Sequence, residues 1–149
     1  MHRGFHIVRI EADFEDLAAG VALEAVAKGR WGNHLTRPAS DGVPLVRTTT
    51  RYGTPAHVFT HAHREAADRI AAALPEGASF DHALLEIYDS RYAKMGWHCD
   101  QSLDLADDSF IAILSTYDAP LPSRGAGMRT LCVRSKTTDE RFELPMEPG

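Results

Sequence analysis

Two potential metal ligands, His98 and Asp100, stand two residues apart in the stretch YAKMGWHCDQSLDLADD. Alternate side chains of an extended segment project to the same side, so the imidazole and the carboxylate are expected to point together and Cys99 to point away. One histidine and one carboxylate are part of the two-histidine, one-carboxylate triad that holds Fe(II) with open coordination positions. The spacing suits a non-haem iron site. The motif alone is a weak signal, however, and without its sequence context the simpler interpretation, a solvated histidine beside a turn aspartate, is preferred.

The composition is that of an ordinary globular protein. The chain has 149 residues, of which 44% are hydrophobic and 25% charged, and its formal net charge is −5. This length predicts a single domain with its own core. The acidic balance offers no broad basic field for nucleic acid, so it favours a small molecule or a protein side chain as the substrate.

The compartment is predicted from what the sequence lacks. Cys99 and Cys132 are too few for a disulfide framework. No apolar run approaches membrane-spanning length, and the first residues do not have the layout of a signal peptide. We therefore expect a reduced, cytoplasmic protein with no membrane contact.

The first third of the chain predicts a strand, a helix and a loop. Residues 4–12 alternate as a strand does, Asp13 is a good helix N-cap, and residues 14–30 carry apolar side chains at helical spacing. Residues 31–43 are rich in turn-forming residues, which predicts a loop. Residues 44–53 are β-branched and alternating, which predicts a second strand.

The remainder predicts one more helix and then mainly strands. Thr60 is expected to cap a helix that turns Ala67, Ile70 and Leu74 inward. Short strand-like runs follow at 82–88, 109–117, 130–136 and 141–145. Early helices and late strands predict an α+β fold, a β sandwich or barrel with two flanking helices.

The order of these segments resembles a known enzyme family. A strand that ends in Tyr88, a polar loop, His98-x-Asp100 and the strand SFIAILS follow one another. This arrangement, over about residues 44–149, resembles the 2-oxoglutarate- and Fe(II)-dependent dioxygenases, especially the branch of alkylated-nucleic-acid repair enzymes. The resemblance implies a double-stranded β-helix (jelly roll), hydroxylation or oxidative dealkylation of a substrate, and Fe(II) and 2-oxoglutarate as cofactors.

The resemblance also assigns roles to individual residues. It implies that His98 and Asp100 bind iron and that Tyr88 donates a hydrogen bond to a carboxylate of 2-oxoglutarate. A half-buried strand aromatic is an equal alternative for Tyr88. Glu86 stands where many repair enzymes have an asparagine that contacts the co-substrate, which is a departure from the pattern. Arg129 and Arg134 match basic positions of the family, but a solvated strand-edge charge is the favoured interpretation for each of them.

Two parts of the family's site are not matched. The second histidine ligand and the arginine that grips 2-oxoglutarate would follow Gly149, and only five or six strands can be counted where a jelly roll needs about eight. We therefore expect the N-terminal part of a dioxygenase domain, with weak iron binding and little turnover.

Other residues near or like the motif are expected to be structural. His57 and His61, four apart, could share a helix face, but these two histidines, His63 and His82 are each expected to be structural or solvated. Cys99 is expected to be a small buried residue. Trp97 and Met95 are expected in the core, with a substrate pocket as the alternative.

Two other functions stay open. One is a non-catalytic β-sandwich or cupin-like binding module, in which His98 and Asp100 are surface residues. The other, a zinc hydrolase, is less well supported because no third nitrogen or sulfur ligand stands at a suitable spacing.

Overall fold

The computed structural model describes residues 5–38, 52–74, 78–100, 105–118 and 127–149. Within these ranges the fold is mixed α+β, with two helices and strands in two sheets, so the expected α+β class is confirmed. The elements are α1 (Phe14–Ala18), β1 (Glu24–Ala27), β2 (Arg30–Thr36), β3 (His57–Val58), α2 (His61–Ala72), β4 (His82–Tyr88), β5 (Thr130–Arg134) and β6 (Arg141–Pro145).

Strand β2 is the centre of the larger sheet. Along one edge it pairs with the whole of β4 in antiparallel register, from Arg30↔Tyr88 to Thr36↔His82. Its other edge is shared, because β1 runs antiparallel to the first half and β3 pairs in parallel with Leu35 and Thr36. Alternate residues of β2 and β4 therefore form two distinct faces.

One of these faces carries the hydrophobic core. Leu35 of β2, Phe59 and Ala67 of α2 are buried against each other, with Val21, Phe80 and Leu85 packed around them. The N-cap of α2 is Thr60, as predicted: its hydroxyl accepts from His63 N, while its own N–H donates to His63 Nδ1 at 3.0 Å. Each contact satisfies a backbone N–H that has no partner within the helix.

The prediction of a loop over residues 31–43 is wrong for its first part, because residues 31–36 belong to β2. The reason lies at Asn33, which is fully buried. Its amide Nδ2 donates to Ala22 O at 2.8 Å and to Pro55 O at 3.0 Å, tying β2 to the segments on its far edge. A polar side chain in a turn-like sequence is thus accommodated by hydrogen bonds that sequence periodicity does not reveal.

The N-terminal predictions also need correction. Residues 5–13 form no strand, and the predicted 14–30 helix stops at Ala18, although Asp13 is its N-cap as expected. The backbone leaves the helix at Ala19, whose ψ is 125°, Gly20 follows with a positive φ of 72°, and β1 begins at Glu24. The predicted strand 44–53 lies almost wholly outside the described residues.

The smaller sheet is the hairpin of β5 and β6, which confirms the strands predicted at 130–136 and 141–145. Residues 109–117, also predicted as a strand, are not in one, and Ile111 and Ile113 are exposed. This segment nevertheless contacts the hairpin end, because Tyr117 Oη donates to Met146 O and Gly149 N donates to Ser115 O. Among the described residues, no helix is both long enough and apolar enough to cross a membrane.

Candidate functional site

His98 and Asp100 lie close together, as the spacing predicts. His98 Nε2 is 3.7 Å from Asp100 Oδ1, and the side chains are 55% and 41% exposed. The other ring nitrogen, Nδ1, lies 2.9 Å from the carbonyl oxygen of Gly96. A carbonyl can only accept, so Nδ1 donates in this contact, and Nε2 is the ring nitrogen on the side of Asp100.

This arrangement fits two ligands of a metal ion. Metal-bound histidines commonly donate their second ring nitrogen to a carbonyl, which fixes the ring orientation. Bonds of about 2.1 Å at a right angle would place the two ligand atoms ~3 Å apart, so a small side-chain rotation brings them into range. Among the described residues, no group of three or more His, Cys, Asp or Glu is placed to hold a metal.

The side chains around this pair are more exposed than expected. Trp97 is 59% exposed and Met95 is also exposed, so the prediction that they lie in the core is wrong. Cys99 is exposed too, because residues 96–100 form an irregular surface segment, not a strand against a core. Arg134, on β5, is exposed, as expected of a strand-edge charge, and its guanidinium stands 5.2 Å from the exposed Trp97 ring.

Tyr88 belongs to a second polar group on the other face of the large sheet. Its hydroxyl donates to Glu86 Oε2. Arg30 donates to Glu86 Oε1 through Nε at 3.0 Å and through Nη2, and the Tyr52 hydroxyl lies 3.5 Å from the same oxygen. We call Arg30, Tyr52, Glu86 and Tyr88 the carboxylate cluster.

Strand register builds this cluster. Arg30 pairs with Tyr88, and Gly32 pairs with Glu86, so these four strand residues share one face of β2 and β4. Gly32 leaves the room that the phenol of Tyr52 fills, since a Cβ at that position would lie 2.8 Å from Tyr52 Oη. A glycine in the central strand is therefore explained by the close approach of Tyr52.

The cluster is partly desolvated, and its electrostatics follow from that. Burial, together with the charge of Glu86, raises the pKa of Tyr52 to about 12, and burial and the Glu86 contact raise the pKa of Tyr88 as well. Burial alone would lower the pKa of Arg30, but the hydrogen bond and negative charge of Glu86 outweigh it and raise that pKa. At neutral pH both phenols and the guanidinium are therefore hydrogen-bond donors.

Arg129 is packed beside the cluster and is not a solvated edge charge. Its guanidinium stands 4.9 Å from the Tyr88 ring. Its Nη2 donates to Tyr92 O at 2.9 Å and to Asp89 O at 3.2 Å. Arg129 thus ties the start of β5 to the chain that leaves β4 towards His98.

Sequence reasoning found Tyr88 and noticed Glu86, but it did not connect them with Arg30. Arg30 falls at the end of the helix predicted over residues 14–30, so its strand partners could not be anticipated. The available signal was the alternation of Glu86 and Tyr88 in β4, which puts a charged group on the same face as the phenol.

Within the described part of the chain, the remaining histidines do not form a metal site. His57 lies in β3 and His61 begins α2, so the possible shared helix face is absent. His63 is buried, with Nε2 2.7 Å from Leu17 O, which agrees with a structural role. His82 Nδ1 lies 2.9 Å from Asp81 Oδ1.

Comparison of the chain with protein-family models, with curated proteins and with solved structures found no match in any of the three.

Proposed function

We propose that this chain supplies the histidine-carboxylate pair of a 2-oxoglutarate- and Fe(II)-dependent dioxygenase, with His98 Nε2 and the Asp100 carboxylate as iron ligands. The observation that carries the proposal is the hydrogen bond between His98 Nδ1 and Gly96 O, which directs Nε2 towards Asp100. The order of the surrounding segments supports it, and the jelly-roll architecture is part of the same proposal.

The work of the protein residues in this proposal is positioning. Bound Fe(II) would supply the redox chemistry that couples decarboxylation of 2-oxoglutarate to hydroxylation or dealkylation of a substrate. Gly96 O would keep the His98 ring oriented, and Asp100 would provide the negative charge that favours a divalent cation. The acidic chain favours a small molecule or a protein side chain as substrate.

The proposed role of Tyr88 requires a change of its hydrogen-bond partner. In the resemblance it contacts 2-oxoglutarate, whereas here its hydroxyl donates to Glu86. A phenol has one donor hydrogen, so Tyr88 would have to exchange the Glu86 carboxylate for that of the co-substrate. The proposal therefore requires Tyr88 to release Glu86 when 2-oxoglutarate binds.

Anaerobic Mn(II) titration, followed by electron paramagnetic resonance, tests the metal site. We expect saturable binding of one ion per chain that weakens more than tenfold in His98→Ala and in Asp100→Asn. His61→Ala is the matched control, because His61 is an exposed histidine on α2 and should leave binding unchanged. Binding that is indifferent to both ligand substitutions would reject the site.

A second readout addresses the activity. With Fe(II) and oxygen, the low rate of 2-oxoglutarate conversion to succinate that we expect of this chain should disappear in His98→Ala and persist in His61→Ala. Turnover that survives in His98→Ala would contradict the assignment of this residue as an iron ligand.

The alternative, a non-catalytic β-sandwich or cupin-like binding module, is favoured by one observation. The side chains of His98 and Asp100 are 55% and 41% exposed, as ordinary surface residues are. In that case Mn(II) should bind no more tightly to the wild-type chain than to Asp100→Asn.

A further inference from the structure

The carboxylate cluster presents three hydrogen-bond donors to a single carboxylate. Arg30 and Tyr52 approach Oε1 of Glu86, and Tyr88 donates to Oε2. The donors come from β2, from the segment before β3 and from β4 itself, so the sheet holds them in place around the anion. A guanidinium and two phenols around one carboxylate form a complete recognition site for that group.

We propose that Arg30, Tyr52 and Tyr88 form a carboxylate-binding site that Glu86 occupies from within, and that a small monocarboxylate takes this position when the Glu86 side chain is truncated. In the native chain Glu86 closes the site, so any carboxylate ligand that uses these donors must displace it. This inference stands on the cluster alone and does not depend on iron binding at His98 and Asp100.

The surroundings make the site selective for an anion. The side chains of Arg30 and Glu86 are only 17% and 11% exposed, so solvent screens their interaction poorly. Without Glu86 the Arg30 guanidinium would stay largely buried without that partner, a costly state that an anion relieves. An ordinary phenol has a pKa of about 10, so both tyrosines keep their protons and offer donors to a carboxylate throughout the neutral range.

The size of the site follows from the side chain that fills it. Glu86→Ala removes Cγ, Cδ and both carboxylate oxygens, which together are the heavy atoms of acetate. Gly32 lies opposite Glu86 in the register, and its lack of a Cβ leaves room for the Tyr52 phenol and the Glu86 side chain side by side. Acetate is therefore the probe that matches both the charge and the volume of the missing group.

The experiment measures the melting temperature of Glu86→Ala against acetate concentration, with chloride holding the ionic strength constant. We expect Glu86→Ala to be less stable than the wild type and to gain about 3 to 6 °C at an acetate concentration ten times its Kd. Wild type and Glu86→Gln, which keep the volume of the side chain, should gain nothing beyond the effect of chloride. Acetamide, a neutral molecule of similar shape, should not stabilise Glu86→Ala.

Two further variants separate the possible explanations. Arg30→Met in the Glu86→Ala background should abolish the acetate response, and His98→Ala in that background should leave it intact. An equal acetate effect in wild type, or a response that survives Arg30→Met, would overturn the proposal. If Glu86→Ala does not fold in buffer, refolding in acetate should restore it, and failure there would also overturn the proposal.

Discussion

The Arg30 guanidinium and the Glu86 carboxylate form a diagonal ion pair across the two longest neighbouring strands of the structure, β2 and β4. Glu86 pairs in register with Gly32, and Arg30 pairs with Tyr88, so the ion pair lies on the face of the sheet that carries Gly32. A desolvated pair of this kind contributes to stability only while both partners are present. The coupling energy between Arg30 and Glu86 can therefore be measured with single and double variants.

Arg30→Met should destabilise the chain by about 2 to 4 kcal/mol, because the Glu86 carboxylate is left partly buried without its strongest donor. The double variant Arg30→Met/Glu86→Leu should recover at least half of that loss, since no uncompensated charge remains. Urea unfolding of the wild type, the two single variants and the double variant measures the coupling. Strictly additive effects would show that the pair contributes no coupling energy.

Gly29 and Gly20 provide a matched pair of glycine substitutions. Both have positive φ, 75° and 72°, but a Cβ at Gly29 would lie 2.4 Å from Asp89 Oδ1 and 2.8 Å from Tyr92 N, whereas a Cβ at Gly20 would meet nothing within 4 Å. Gly20→Ala should therefore cost only backbone strain, about 1 kcal/mol. Gly29→Ala should cost about 2 to 4 kcal/mol, because the Tyr92 backbone must also move. Equal losses in urea unfolding would contradict this account.

Apart from residues 109–117, the described second half of the fold follows from local patterns in the sequence. Local signals locate the helix capped by Thr60, the strand-like run of residues 82–88 and the two strands of the β5–β6 hairpin. In these cases the residues that make the pattern are also the ones that pack. Local and tertiary preferences agree, so the prediction succeeds.

The first half fails because tertiary contacts override the local signal. Residues 14–30 carry apolar side chains at helical spacing. Val21 nevertheless packs on the core after α1 has ended, and Arg30 lies in β2, where it contacts Glu86. Asn33 can be buried because Ala22 O and Pro55 O accept hydrogen bonds from its amide. Neither acceptor can be predicted from the periodicity of apolar residues in the sequence. The pairing of His98 with Asp100 was predictable since it depends on a separation of two residues, whereas the carboxylate cluster depends on strand register.

His63 predicts how stability responds to acid. Its Nδ1 accepts from Thr60 N, and Nε2 therefore donates to Leu17 O, so the folded state uses the neutral ring. Burial lowers the pKa of His63, and the nearby His57 and Arg64 add to that direction. The unfolded chain, with a pKa of about 6.5, then binds more protons than the folded chain. The contribution of His63 to the free energy of unfolding should be fully present above pH ~6.5. It should decline as the pH falls towards the lowered pKa of His63 in the folded state.

His63→Gln tests this acid response. Glutamine at this helix position can also accept from the N-cap N–H, so the capping box should be kept while the titrating group is removed. We expect His63→Gln to lose less stability than wild type between pH 7 and 5 in urea unfolding. His61→Gln, at an exposed neighbouring position, is the control and should retain the wild-type pH dependence. Identical profiles for wild type and His63→Gln would assign the acid sensitivity to other groups.

Substitution of Cys99 distinguishes an iron site from a zinc site. It lies between the two proposed ligands and is exposed, so its thiol is accessible to a soft metal ion. If His98 and Asp100 bind a hard divalent ion as proposed, Cys99→Ser should leave the Mn(II) Kd within about twofold of wild type, whereas Asp100→Asn should weaken it more than tenfold. The same two variants titrated with Zn(II) provide the comparison. A large loss of Zn(II) affinity in Cys99→Ser, with little change in Asp100→Asn, would point to a thiolate ligand and so to the zinc chemistry that the iron proposal excludes.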